Sequence, residues 1–317
     1  MIMQDVSAVT QARHSTDQST TIALCIPTWR RNDLLRQCLS AVSTLQLPDR
    51  HHLLVLVVDN DALGGAHTLC RELAQNKGLR LSYFIEPERG LCSVRNRLLQ
   101  ESLRTDAQWL AFLDDDEQPA PDWLLAHLHG LSACGADVSA GPVIQYLDNE
   151  SPVTPQISDN VSAPQIPRFV ACNNVMFRRK LISEQGLRFD PLFNFTGGED
   201  FDFFESSRRC GNRHIWTGAA MVYETVTPER ATFGYLFHRH WTGAMTRVMQ
   251  QRKWRGTTML WPRFLLKSLG KFLSGTVCLP LVLLPPHRRA LEDCVKRYAS
   301  AWGYVCGLLN LSRERYR

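Results

Sequence analysis

The run Leu53-Leu54-Val55-Leu56-Val57-Val58 constrains this chain most. Six consecutive aliphatic residues without polar alternation suit a strand covered on both faces, the setting of an interior strand in a parallel sheet. Thr21 to Ile26 and Leu110 to Leu113 have the same character. Each run stops at a polar cluster: Pro27-Thr28-Trp29-Arg30, Asp59-Asn60-Asp61 and Asp114-Asp115-Asp116-Glu117. Between them, Leu35, Cys38, Leu39 and Val42 recur at helical spacing on a helix from about residue 32. Further helices are expected over about 66–77 and through Arg95, with a strand over 81–85 and a turn at 87–90 between them. This alternation predicts an α/β fold with a mostly parallel, doubly wound sheet through about residue 130.

Beyond that point the rhythm changes. Pro119 and Pro121 end the acidic strand, and a helix is expected from about Asp122. Strands are expected over 138–146 and 169–177, either side of a Pro/Ser/Asn-rich loop at 148–168. A helix over about 179–185, a turn at Gly197-Gly198, a helix over 199–209 and a strand near 221–224 follow. Residues 1–20 are polar, are expected to be loose, and carry no apolar core of signal-peptide type. Ten cysteines are scattered singly with no CxxC pair, which points to reduced, buried thiols in a cytosolic protein.

Parallel strands end on one edge of a sheet, where open α/β sheets bind ligands. Carboxylates packed as closely as Asp114, Asp115 and Asp116 repel one another, and a cation among them relieves the repulsion. Hard ions such as Mg²⁺ and Mn²⁺ bridge a carboxylate to substrate phosphates; a solvated acidic turn is the plain alternative. Asp59 can accept from a base or ribose, and Trp29 or Arg30 can lie flat against a base. Neither GxGxxG after the first strand nor GxxxxGK[ST] is present, so the dinucleotide and P-loop signatures are missing.

The chain resembles the inverting GT-A glycosyltransferases of family 2 over about residues 21–245. The likeness is carried by Ile26-Pro27-Thr28-x-x-Arg31, Val57-Val58-Asp59-Asn60-Asp61 and Glu88-Arg89-Gly90-Leu-Cys-Ser-Val-Arg95-Asn96. It continues in Phe112-Leu113-Asp114-Asp115-Asp116-Glu117, Asn173-Asn174-Val175-Met176-Phe177-Arg178 and Gly197-Gly198-Glu199-Asp200. The resemblance implies transfer of a sugar from a nucleotide-sugar, UDP-linked by family habit, to an acceptor hydroxyl on a glycan or lipid-linked intermediate. It implies Mn²⁺ or Mg²⁺ at Asp116, the end of a D-x-D motif, and a nucleotide-sugar held by Pro27, Thr28, Arg30, Asp59, Arg95, Asp114 and Asp115. Asp200 would be the catalytic base, with Asn174, Glu199, His238, Arg239 and His240 on the acceptor or diphosphate side. The Gln-x-x-Arg-Trp motif of membrane-embedded synthases is absent.

Each assignment has a plainer counterpart. Asp200 can be a first-turn helix acid favoured by the dipole, Asp59 a solvated turn residue, and Arg95 with Asn96 an exposed helix face. His238 and His240 alternate like strand or loop residues. Asp202 and Glu205 are expected on the solvated side of their helix. His127 and His129, two apart on a helix, diverge and make no metal pair. The other enzyme reading is a sugar-phosphate nucleotidylyltransferase, and the non-enzyme reading is a nucleotide- or membrane-binding module with a dead site.

Charge divides the chain. Residues 252–317 carry 13 Lys+Arg against 3 Asp+Glu, or +10, leaving 23 against 28, or −5, for residues 1–251. A catalytic domain over 21–250 and a basic, amphipathic helical region over 251–317 are therefore expected. Arg263, Lys267 and Lys271 recur every four residues, while Leu265, Leu266, Leu269 and Phe272 fall largely elsewhere. A second stretch carries Leu291, Val295, Tyr298, Trp302, Val305 and Leu309. The apolar run over 272–286 is shorter than the roughly 20 residues of a spanning helix. The expected partner is an anionic membrane surface, approached peripherally from the cytoplasm, with no nucleic acid; packing of both stretches on the catalytic domain is the alternative.

Overall fold

The aliphatic runs form the middle of the sheet. In the computed structural model, which describes residues 19–147, 167, 169–226, 232–280 and 287–311, the first half of the chain gives β1 (Thr20–Thr28), α1 (Asn32–Val42), β2 (His51–Asp59), α2 (His67–Lys77), β3 (Leu81–Ile85), α3 (Leu91–Leu103) and β4 (Trp109–Leu113). After it come β5 (Glu117–Pro119), α4 (Trp123–Cys134), β6 (Val138–Ala140), β7 (Val143–Leu147), β8 (Asn174–Arg178), α5 (Lys180–Ser183), α6 (Glu199–Arg209), β9 (His214–Trp216) and β10 (Val222–Val226). Three helices follow: α7 (Phe233–Arg255), α8 (Leu260–Cys278) and α9 (His287–Leu308).

The main sheet has the order β3-β2-β1-β4-β8-β6-β9, with β8 antiparallel to both neighbours and the other pairings parallel. Side chains alternate across a strand. Ile22, Leu24 and Ile26 of β1 therefore pack with α1, α2 and α4, and Ala23 and Cys25 pack with α3 and α6. Leu35, Cys38, Leu39 and Val42 are the buried face of α1, as their spacing predicts. Burial on both faces explains why these strands read as unbroken apolar runs.

Later elements differ from the expectations. The strand expected over 138–146 is two, β6 in the main sheet and β7 in a small sheet of order β5-β10-β7. The break falls at Gly141, where a Cβ would lie 2.1 Å from the Ala220 carbonyl oxygen, so the backbone passes too closely for any side chain. β8 begins only at Asn174, α5 is a single turn, and β9 had no signal in the sequence. Most of the 148–168 loop, and residues 1–18 of the N-terminal segment, lie outside the described residues. Asp202, expected in solvent, is buried: its carboxylate accepts from Lys253 Nζ at 2.8 Å and Trp254 Nε1 at 2.9 Å. Those partners lie 51 and 52 residues away on α7, beyond any local pattern.

The position where charge changes sign lies inside α7. α9 docks on α7 through glycines: a Cβ at Gly303 would meet the Trp241 carbonyl oxygen at 2.2 Å, and one at Gly307 would meet Val248 Cβ at 2.8 Å. The packing face of α9 is thus Cys294, Ala299, Ala301, Tyr304, Cys306 and Leu308. The apolar stripe read from the sequence coincides with that face only in part: Val295, Tyr298 and Val305 are half-buried, while Leu291, Trp302 and Leu309 are exposed. Small residues set how closely two helices approach, and a pattern built on large residues misses them. No helix among the described residues is long and apolar enough to cross a membrane. All ten cysteines are free thiols.

Candidate active site

β1, β2 and β4 run parallel and stop on the same edge, so their polar ends converge on one cavity of about 1330 Å³. Pro27, Thr28, Trp29, Arg31, Asn60 and Asp114 to Asp116 line it. After β4 the chain makes a tight turn in which Glu117 accepts the Asp114 backbone N–H at 3.0 Å and the Asn173 amide at 2.9 Å. Thr28 Oγ1 donates to Asp115 at 2.8 Å, and Arg31 Nη1 lies 3.2 Å from both Asp115 and Asp116. Arg31 here and Arg95 of α3, 3.5 Å from Asp114 but shared with Glu199, leave the four carboxylates of the turn under-neutralised. Burial, offset by Arg31 but reinforced by Asp116, pushes Asp115 up to about 7, and burial also raises Asp114 and Glu117.

These donors suit a hard divalent cation in one particular way. No group of three or more His, Cys, Asp or Glu among the described residues can hold an ion unaided. Mg²⁺ and Mn²⁺ are commonly held by one or two carboxylates plus substrate phosphates, and an under-neutralised acidic turn on a cavity wall offers that.

Two of the nucleotide candidates are not on the wall. Arg30 has a left-handed backbone (φ 52°), which turns its side chain outward to Asp61 at 2.9 Å. Arg31, marked in the sequence only by the spacing Pro27-Thr28-x-x-Arg31, takes the inward position. Asp59 is buried beneath its loop, accepting from the Asp61 N–H at 2.9 Å, the Ala66 N–H at 3.1 Å and the Tyr83 hydroxyl at 2.7 Å. It shapes the loop that presents Asn60. Asn60 in turn accepts the Gly90 N–H at 2.9 Å and donates to the Glu86 and Glu88 carbonyls at 2.9 and 2.7 Å. Gly90 (φ 132°) has no room for a Cβ, because the Asn194 amide sits 2.1 Å from that point and caps α3 through the Cys92 N–H. Trp29 lies at the rim with the Arg89 guanidinium 4.0 Å from its ring centre.

Across the cavity, α6 starts at Gly197-Gly198 and places Glu199 and Asp200 on the wall. Arg95, buried on α3, is paired with Glu199 and lies 3.5 Å from Asp114, so it ties the acidic turn to the start of α6. Glu199 is committed to this bridge, although its Oε2 is buried with no hydrogen-bond partner. Successive helical residues diverge by about 100°, and Asp200 is held separately by the Phe201 N–H at 2.7 Å. Burial first, then the Glu199 charge, push Asp200 up to about 7. Asn174 also lines the cavity but has no capacity left. It accepts from Trp123 and His127 and donates to the Pro142 and Ala220 carbonyls.

α7 forms a third wall with Arg239, Gly243, Arg247 and Gln250 on one helical face. His238 joins it, but His240 does not: two residues along a helix is a turn of about 200°, not the alternation of a strand. His240 sits among Lys296, Arg239, Arg247 and Lys271, and burial together with those charges lowers its pKa. Arg263 and Lys267 of α8 complete the cationic side. Arg247, Arg263 and Lys267 had no signal as site residues, since only folding brings α7 and α8 to the strand edge.

The Asp200 shift has a consequence for stability. Its native carboxyl holds a proton that the unfolded chain releases between about pH 4 and 7. The contribution is therefore complete below the unfolded value and lost as pH rises through about 7. Asp200→Asn removes this ionisation, so in urea unfolding the variant should gain stability over the parent at about pH 8 relative to about pH 4. An equal difference at both pH values would contradict the buried, raised carboxyl.

Comparisons with known proteins bear on the family and the fold. The profile described as glycosyl transferase family 2 matches residues 23–188. The chain is 29% identical over 304 residues to succinoglycan biosynthesis protein ExoM of Rhizobium meliloti, covering 93% of this chain and 94% of that one. It is 26% identical over 174 residues to glycosyltransferase AglE of Haloferax volcanii, covering 52% and 55%. Mannosyltransferase PcManGT from Pyrobaculum calidifontis, in complex with GDP-Man and Mn²⁺, aligns with TM-score 0.60 at 15% identity over 95% of this chain and 92% of that one. S. aureus TarS 1–349 in complex with UDP-GlcNAc aligns with TM-score 0.52 at 14% identity over 89% and 90%. At such identities the structural likeness is one of fold.

Proposed function

This chain belongs to glycosyl transferase family 2, and from that footing we propose that it moves a hexosyl group from a nucleotide-sugar to an acceptor hydroxyl with inversion. The observation that carries the reading is the facing pair of walls in one cavity: the under-neutralised acidic turn after β4, and Asp200 at the start of α6. The family assignment leaves the nucleotidylyltransferase reading without support.

The nucleoside fits against Thr28, Trp29 and the Asn60 loop, which Asp59 shapes from below. Asp116, with Asp114 beside it, would hold Mn²⁺ or Mg²⁺, which when bound supplies positive charge to the diphosphate. The solved neighbours named above with Mn²⁺, GDP-Man and UDP-GlcNAc support a divalent metal and a nucleotide-sugar donor; UDP is our choice among carriers. Arg31, Arg239 and Arg247 add fixed cations where negative charge grows on the leaving group. Asp200 accepts the proton of the acceptor hydroxyl as its oxygen bonds to the anomeric carbon. The bond from that carbon to the diphosphate oxygen breaks, and the nucleoside diphosphate departs. Arg95 and Glu199 position α6 and do not touch the reacting atoms.

We further propose that residues 21–250 carry the catalytic residues and that the acceptor is a glycan intermediate, which the likeness to a succinoglycan biosynthesis protein supports; that it is lipid-linked or at the cell surface and met at the cytoplasmic face of a membrane is our own reading. Thermal unfolding against a panel of nucleotide-sugars tests the donor assignment, because a ligand of the native state alone raises apparent stability. One nucleoside-diphosphate sugar should stabilise the chain only when Mn²⁺ or Mg²⁺ is present. Stabilisation by none, or by nucleoside triphosphates alone, would remove the donor assignment.

A further inference from the structure

α8 is amphipathic in an unusual sense, because the side it buries is the narrow one. It meets α9 through Leu260, Phe264, Ser268 and Gly275, with Ser268 Oγ donating to the Ala301 carbonyl at 2.8 Å and Phe264 against Tyr304 at 5.3 Å. The remaining large apolar side chains are open to solvent: Leu266 is 71% exposed, Leu269 and Leu273 53% and Val277 76%, and Phe272 is 52% exposed although one side of its ring meets Tyr298 of α9 at 5.5 Å. At about 100° per residue, Trp261 to Val277 place these side chains on one arc roughly 160° wide. A surface helix in water carries polar residues on such an arc, and contiguous exposed apolar surface marks an interaction site.

The charge on α8 tells what covers it. On the same wheel Arg263, Lys267 and Lys271 fall at about 200°, 240° and 280° from Trp261, on the face away from the arc with Arg263 about 40° past its Val277 edge, and the helix has no acidic residue. Arg263 and Lys267 also line the cavity. An apolar arc on a helix whose only charges are cations matches the interface of an anionic bilayer, with acyl chains against the arc and headgroup phosphates reached by the long basic side chains. A second copy matches poorly, since a two-fold contact would bring together two helices whose only charges are positive, with no acid on either.

We propose that α8 seats the protein on an anionic bilayer through Leu266, Leu269, Phe272, Leu273 and Val277, so that the Arg263–Lys267 side of the cavity opens at the headgroup layer. This rests on the transferase reading for its purpose: an acceptor with a phosphate-bearing lipid anchor would enter from the bilayer past those two cations.

The test is flotation of the full chain with vesicles of equal parts phosphatidylcholine and phosphatidylglycerol, and with phosphatidylcholine alone. The parent should bind the anionic vesicles more tightly, and added salt should weaken binding because screening acts within about 10 Å at 0.1 M. Leu266→Glu/Leu273→Glu, two exposed positions off the cavity wall, should lower that binding more than about tenfold. Its melting temperature and metal-dependent nucleoside-diphosphate affinity should be unchanged. Binding equal to the parent's would overturn the proposal, as would a parent that binds neither vesicle. A lipid-free parent dimer that the variant converts to monomer would assign the face to a second copy instead. Loss of the transferase reading would show separately, as absence of donor binding in a parent that still floats with lipid.

Discussion

Asp200→Asn should bind nucleotide-sugar as the parent does and transfer sugar about 10²–10⁴-fold more slowly. The substitution keeps the shape and the Phe201 hydrogen bond but removes the basic oxygen pair. With the parent carboxyl pushed up to about 7 by burial and by Glu199, kcat/KM of the parent should rise with pH through about 7 as the base ionises. That acidic limb should vanish in the variant. Glu199→Gln is the control. It weakens the bridge to Arg95 and should lower stability, yet it should keep an acidic limb, moved to lower pH because the Glu199 charge no longer raises Asp200. Near-normal transfer by Asp200→Asn beside an inactive, well-folded Glu199→Gln would move the base to Glu199.

Asp116→Ala should lose metal-dependent nucleoside-diphosphate binding, with affinity in Mn²⁺ falling on the order of 100-fold, at or beyond the range seen when metal-supporting residues are removed. The fold should survive, because the turn is held by Glu117 on the Asp114 N–H and by Thr28 on Asp115, neither of which involves Asp116. Asp115→Asn should cost less, since Asp115 spends one oxygen on Thr28 and the other on Arg31. Calorimetry showing unchanged Mn²⁺-dependent affinity in Asp116→Ala would take that residue out of the metal assignment.

What could be read from the chain alone was what local pattern controls. Strands buried on both faces must be apolar throughout, so β1, β2 and β4 and their polar ends were visible, and with them the acidic turn and the edge it occupies. Conformation at one residue escaped: the left-handed backbone of Arg30 reverses which of two adjacent arginines looks inward. Close approach escaped as well. The split at Gly141 and the docking of α9 through Gly303 and Gly307 depend on absent side chains, which leave no hydrophobic signal. Asp202 reads as a surface acid because Lys253 and Trp254 are distant in sequence. The cationic wall of α7 was seen only at His238 and Arg239, where it was read as strand or loop; the face through Arg247 and Gln250 follows once the segment is helical.

The proposed reaction breaks the bond between a sugar and a nucleoside diphosphate by a single displacement in this cavity. Nuclear magnetic resonance of the reaction with metal and the donor found by thermal screening, taken before the released sugar equilibrates, observes that bond and its stereochemistry together. The expected phosphorus-containing product is nucleoside diphosphate, with transferred or water-released sugar of inverted anomeric configuration. Retained configuration, or pyrophosphate appearing in place of nucleoside diphosphate, would contradict it.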